Sequence, residues 1–155
     1  MTLKATINKV ATSLRHMADV VFLALVIWRE ARGEPAEGRV AVAYCILNRV
    51  ARPSWWGHDI MSVVSKKWQF SSMTDPKDVQ LTTWPQSNDP SWLDCLAIAS
   101  GAIDGTIPNP APGADHYFDT SIIKNPPKWA DKDRFVKKIG RIYFYDLDRD
   151  TEIQP

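Results

Sequence analysis

Cysteine and histidine are scarce in this chain of 155 residues, which holds two of the first and three of the second. No CxxC pair and no Cys/His cluster at ligand spacing occurs, which argues against a zinc site. Cys45 and Cys95 lie in apolar helical patterns and read as buried free thiols, with one disulfide between them as the alternative. An excess of charge of one sign is also missing. Nineteen Lys and Arg face eighteen Asp and Glu, a net charge of +1. No global field therefore points to nucleic acid. There is no internal repeat and no low-complexity tract. Nor is there a long hydrophobic run: Val20 to Trp28 falls short of the roughly 20 residues that span a bilayer. That run also lacks a secretory layout, because polar chain precedes it and Arg29-Glu30-Ala31-Arg32 follows in place of a small-residue cleavage site. The expectation is a chain without stable membrane insertion and without an export signal, resident in the cytoplasm where it is made.

What is present is ordinary globular composition with two local biases. Hydrophobic residues make up 45% and charged residues 24%, enough for one domain with a real core. The first bias is a basic strip of Lys124, Lys128, Lys132, Arg134, Lys137, Lys138 and Arg141, followed by acidic Asp146, Asp148, Asp150 and Glu152. A solvated face is the plain reading, and contact with an anionic polymer the functional one. The second is aromatic: seven tryptophans, of which Trp55, Trp56, Trp68, Trp84 and Trp129 fall in loops or at helix ends. Exposed tryptophan offers a flat platform to the apolar face of a sugar ring, and some of the seven are expected simply to fill the core.

Leu3, Ile7, Val10 and Leu14 have helical spacing and predict an amphipathic leading helix over residues 1–16, packed on the domain. A core helix follows over 18–32. Pro35 opens the next helix, whose apolar face is Val40, Ala43, Tyr44, Leu47 and Val50. Asp59 caps a short helix through Ser65. Residues 66–87 are polar and rich in turn formers, and such a stretch is usually functional. Asp89-Pro90 starts another helix that runs to Asp104. His116-Tyr117-Phe118 and 139–145 read as strands, with a helix between them. The fold class expected is α+β, mainly α, with a small β element in the C-terminal half. It divides as a leading arm (1–17), a catalytic domain (18–147) and a tail (148–155).

Glu30 stands out within this layout. It shares a helix face with Leu23, Val26 and Ile27, and the turn Arg32-Gly33-Glu34-Pro35 stops the helix just beyond it. A carboxylate in apolar surroundings has its pKa raised, as a general acid near neutral pH requires. The structural alternative is an ion pair with Arg29 or Arg32.

The run Trp28-Arg29-Glu30-Ala31-Arg32-Gly33-Glu34-Pro35-Ala36-Glu37-Gly38, with Leu47-Asn48-Arg49-Val50 after it, resembles the bacterial and phage cell-wall hydrolases related to the spore-cortex-lytic enzymes. Further matching motifs follow in order: Trp68-Gln69-Phe70-Ser71, Gly113-Ala114-Asp115-His116-Tyr117-Phe118, Pro127-Lys128-Trp129-Ala130 and Ile139-Gly140. The resemblance covers about residues 20–145 and leaves 1–18 outside.

It implies a lysozyme-like domain that cleaves the glycan strands of peptidoglycan, with Glu30 as catalytic acid. It maps substrate binding to Asn48, Trp68, Gln69, Phe70, Ser71, His116, Tyr117 and Trp129. Arg29 stands where many members have glycine and sets a cation beside the acid. In a lytic transglycosylase one glutamate suffices, and neither metal nor cofactor is needed. A retaining muramidase would add a second carboxylate about 5 Å away, for which Glu34, Glu37 and Asp75 are the candidates. An amidase would need zinc or a cysteine nucleophile, and His16, His58 and His116 show no ligand spacing. A non-catalytic wall-binding module is the remaining reading. The resemblance, with the chain's small size, suggests a monomeric phage endolysin that reaches the wall through a holin-opened membrane.

Overall fold

The computed structural model describes residues 1–148. The expected tail of 148–155 therefore lies outside the described residues except for Asp148. Five α-helices precede a three-stranded sheet: α1 Leu3–Ala31, α2 Ala36–Ala51, α3 Ile60–Val64, α4 Ser71–Thr74, α5 Pro90–Ile103, β1 His116–Asp119, β2 Phe135–Ile139 and β3 Ile142–Tyr145. The mainly helical α+β expectation holds.

Two of the N-terminal expectations need correction. The leading and core helices are one helix, because no glycine or proline separates them. Its first part also does not pack on the domain: residues 1–18 are exposed. Joined in this way, Leu3–Ala31 is long and apolar enough to cross a membrane by length and composition alone, with a mean hydropathy of 1.7 over its best window. Run length measured on Val20–Trp28 missed this. The most apolar turns of that helix, Leu23 to Trp28, are buried in the core of the domain.

That core gathers Leu23, Val26 and Ile27 of α1, Ala43 and Ile46 of α2, Val63 and Val64 of α3, and Cys95, Ile98 and Ala99 of α5. A Cβ on Gly101 would lie 2.5 Å from the Ile107 side chain, so its absence lets the chain beyond α5 fold back against the end of that helix. The opposite face of α2 supplies Ala41, Val42 and Cys45 to a second cluster with Ile139, Ile142 and Phe144 of the sheet. Helix α2 thus sits between two apolar layers, which explains why its sequence is apolar nearly all round. Both cysteines are buried free thiols.

The sheet order is β1-β3-β2, antiparallel throughout. Strand β2 comes from the basic strip, where the adjacent pair Lys137-Lys138 interrupts the apolar alternation that marks a strand in sequence. It is an edge strand with Lys137 and Lys138 exposed, and lysine on an edge blocks further strand pairing. The chain between β1 and β2 forms two short 3₁₀ turns, Thr120–Ile122 and Lys132–Arg134, in place of the expected helix. Gly140 has φ +56° in the β2–β3 turn, where a Cβ would stand 2.2 Å from a Glu34 carboxylate oxygen.

Candidate active site

Glu30 lies one residue before the end of α1, where the helix leaves the core. Its Oε1 accepts a hydrogen bond from Ser72 Oγ at 2.6 Å, and its Oε2 accepts one from Tyr117 at 3.1 Å. Helix α1, the short helix α4 and strand β1 converge on one carboxyl group. Burial raises the Glu30 pKa above the ordinary glutamate value. The two hydroxyl bonds partly oppose that rise, and the negative charge of Asp78 adds to it. The carboxyl is therefore biased toward its protonated form by its surroundings. Neither ion pair considered from sequence forms. Arg29 turns away into the 72–84 loop, donating to the Ser72 carbonyl at 3.0 Å and the Thr83 carbonyl at 3.3 Å. Its guanidinium lies 4.5 Å over Trp84. Arg29 thus pins the loop that carries Ser72 and places no cation on the acid. Arg32 caps its own helix through the Trp28 carbonyl and bonds Gln80.

A cleft of about 380 Å³ opens over Glu30, with Trp68, Gln69, Phe70, Ser71, Tyr117 and Trp129 among its walls. A second hollow of about 500 Å³ shares Arg49, Trp68, Gln69, Tyr117 and Trp129 with it and adds Trp55, Trp56 and His116. Together they form one groove with aromatic walls. Trp68 is 78% exposed and holds φ +72°, a conformation that side-chain-bearing residues seldom adopt. That strain presents its ring to solvent at the groove rim. Phe70 is a largely buried part of the wall, and Ser71 donates to Asp78 at 2.6 Å. Gln69 accepts from Arg49 at 3.2 Å. His116 pairs with the buried Asp115 at 2.8 Å and packs 5.0 Å from the Trp129 ring.

Four residues named from sequence lie elsewhere. The Asn48 amide donates to the Ala114 carbonyl at 2.8 Å, holding the approach to β1, and lines neither hollow. Of the three carboxylates proposed as a second catalytic group, none faces Glu30. Glu34 accepts from the Arg141 backbone at 3.1 Å and anchors the β2–β3 turn. Glu37 pairs with Lys137 at 2.9 Å on the surface. Asp75 caps its own turn through Lys77 N at 2.9 Å. The carboxylate that does line the Glu30 cleft is Asp119, at the end of β1. It accepts from Ser121 N at 2.8 Å and lies 3.4 Å from Arg141.

Sequence reasoning missed Ser72, Arg49 and Asp119 as site residues. Ser72 and Arg49 stood inside or next to quoted motifs, so their neighbours were the available signal. Arg49 donates to the Asp115 carbonyl at 2.7 Å and lies 5.3 Å from the Phe70 ring centre. It ties α2 to both the loop and the sheet. Among the described residues no group of three or more His, Cys, Asp or Glu is placed to hold a metal ion.

Comparison with known proteins gives the family and the fold. The family described as Cell Wall Hydrolase matches residues 33–145. The chain is 30% identical over 126 residues to the spore cortex-lytic enzyme of Bacillus subtilis (strain 168), covering 81% of this chain and 37% of that protein. It is 29% identical over 126 residues to the spore cortex-lytic enzyme of Halalkalibacterium halodurans, covering 81% and 34%. The chain thus spans little more than a third of the length of these relatives. Among solved structures it is similar to the catalytic domain of the germination-specific lytic transglycosylase SleB from Bacillus anthracis. That match has a TM-score of 0.63 and 30% identity, covering 82% of this chain and 93% of that one. The catalytic domain of the Bacillus cereus SleB protein matches with TM-score 0.63 and 29% identity, covering 82% and 88%.

Proposed function

Because this chain belongs to the cell wall hydrolase family, we propose that it cleaves the β-1,4 bond between N-acetylmuramic acid and N-acetylglucosamine in peptidoglycan as a lytic transglycosylase. The observation that carries the reading is the Glu30 carboxyl, partly withdrawn from water, held by two hydroxyls and open to an aromatic groove. Protonated Glu30 donates its proton to the leaving glycosidic oxygen as the C–O bond breaks. Positive charge then develops at the muramyl anomeric carbon. The neighbouring N-acetyl carbonyl stabilises it, and Glu30, now a carboxylate, takes the proton of the muramyl 6-hydroxyl as that oxygen closes on the same carbon. The product is a 1,6-anhydro sugar, and Glu30 ends protonated, ready for another turn.

The surroundings suit both halves of this cycle. Burial favours the neutral acid at the start. Ser72 and Tyr117 donate to the two carboxylate oxygens and stabilise the charged intermediate form. Burial and the adjoining Glu30 keep the Tyr117 hydroxyl protonated, so it remains a donor. Trp68 and Trp129 supply stacking surfaces for sugars on either side of the bond.

A second reading has one observation in its favour. Asp119 lines the same cleft as Glu30. As a second carboxylate it would support a hydrolysing muramidase, with water taking the place of the 6-hydroxyl. Mass spectrometry of fragments released from purified peptidoglycan decides between the two. Anhydro-muramyl ends, one water lighter than reducing ends, are expected. Reducing ends would replace the transglycosylase reading with the muramidase one, and sacculi that bind the protein but release nothing would overturn both.

The biological setting we propose is host-cell lysis by a phage-type endolysin, a reading that rests on the motif resemblance given under Sequence analysis, whereas the relatives compared above are spore cortex-lytic enzymes. Its test is co-expression in bacteria with and without a holin: lysis that needs both proteins is expected, and lysis without the holin would refute it.

A further inference from the structure

The exposed part of α1 carries six apolar side chains that none of the described residues covers. Leu3, Ile7, Val10, Leu14, Met17 and Val21 are each between 47% and 76% exposed. Their spacings run four, three, four, three, four. At 100° per residue they fall within an arc of about 80°, the narrow seam of a coiled coil and not the broader face of a helix lying on lipid. The flanks of the seam hold Thr6, Ala11, Ser13 and Ala18, small enough to admit a second helix closely. The charged residues Lys9, Arg15 and Asp19 lie outside it.

Farther along α1 the same seam is continued by Leu25 and Trp28, which are buried. There its cover is α5: the Trp28 indole donates to Asp89 and Ser91 at that helix's start, at 3.2 and 3.0 Å. The seam is thus built for a helical neighbour along its whole length and, among the described residues, finds one only over its last turns.

We propose that a second copy of this chain covers the free part, the two α1 helices pairing antiparallel over Leu3–Val21. The direction follows from the fold. The catalytic domain sits on the seam side of α1 from Leu25 onward, so a parallel pair would drive two domains into one space at the same end. An antiparallel pair sets them at opposite ends of a helical rod about 28 Å long. The pattern is symmetric under that reversal: Leu3 meets Val21, Ile7 meets Met17, and Val10 meets Leu14 of the other copy. Lys4 approaches the end of the other helix that carries Asp19, and no like charges face each other across the seam. This assembly replaces the single-copy expectation from sequence and does not depend on which bond the groove cleaves.

The experiment uses the full chain in sedimentation over a roughly hundredfold dilution series. The expected result is twice the monomer mass at the concentrated end, falling to monomer for the variant Ile7→Lys/Leu14→Lys with its turnover on soluble glycan unchanged. Direction is read by disulfide trapping, which the buried Cys45 and Cys95 do not disturb. Ala11→Cys should trap a covalent dimer under mild oxidation, because Ala11 meets its own copy only when the helices oppose. Leu14→Cys should trap little. A wild-type chain that stays monomeric throughout overturns the proposal. So does efficient trapping by Leu14→Cys with none by Ala11→Cys, which would mean a parallel pair. A monomer that sediments with anionic lipid vesicles through the same six side chains would assign the seam to a membrane surface instead.

Discussion

Replacing Glu30 by Gln changes one oxygen to an amide nitrogen and keeps the shape of the side chain. The amide oxygen still accepts from Ser72. The new NH₂ faces Tyr117, whose hydroxyl must then accept where it had donated, leaving its proton without a partner at a cost of about 1 kcal/mol. Opposing this is the removal of a carboxyl whose ionised form the folded protein disfavours. Since the folded pKa lies above the ordinary value of 4.5, the folded state holds more protons than the unfolded one between those two values. Wild-type stability therefore declines as pH rises through that window, while the Gln variant shows no such decline. Below 4.5 the variant should be the weaker by about 1 kcal/mol, and above the window the gap should close or reverse. Catalysis should respond far more strongly. A general acid contributes about 10²–10⁴-fold. In the proposed cycle the same group is also the base, so the loss should reach the upper end of that range, about 5 kcal/mol of barrier. The assays are release of soluble fragments from purified peptidoglycan and denaturant unfolding at several pH values. A folded variant that keeps turnover within about tenfold of wild type would refute the assignment of Glu30.

Tyr117→Phe removes a bond that stabilises the charged form of Glu30, so the alkaline limb of the pH–rate profile should move upward while the rate falls about tenfold. A limb that stays or moves down would mean that another group sets it. Trp68→Ala should change stability by no more than about 0.5 kcal/mol, since the ring is 78% exposed. It should raise KM for glycan several-fold with kcat little altered, whereas equal losses in both would remove the platform role. Gly140→Ala forces a Cβ to within 2.2 Å of Glu34 at φ +56°. Strain of about 1–2 kcal/mol should lower Tm by several degrees with turnover of the folded protein retained. An unchanged Tm would show that the turn relaxes freely.

Much of this molecule was legible from local pattern, because its signals act over a few residues. Asp59 and Asp89 cap their helices as the sequence implied, and Asp89-Pro90 opens α5. Glu30 was legible because three-four spacing and a following glycine-proline turn place a carboxylate at the end of a core helix. Where the reading failed, the deciding partner lay far along the chain. Lys137 and Lys138 look like solvated surface until β3 pairs with them. Leu3 to Leu14 look like a helix packed on the domain, since amphipathic spacing shows that a face wants cover and not what supplies it. Glu34, Glu37 and Asp75 look equivalent to Asp119 in one dimension.

Sequence alone therefore determined the helical class, the caps, the buried state of the cysteines and the place of the Glu30 carboxylic acid at the end of a core helix. These depend on periodicity, turn chemistry and hydrophobicity, which short segments carry by themselves. Only the tertiary structure decided that Ser72 and Tyr117 hold that acid, 42 and 87 residues away in the chain. It alone turned Arg29 aside into the loop and put Asp119, of the other described carboxylates, on the wall of the Glu30 cleft. Burial, hydrogen bonding and charge separation are properties of distances in space, and the chain sets those distances only when its helices, loop and sheet close around one another.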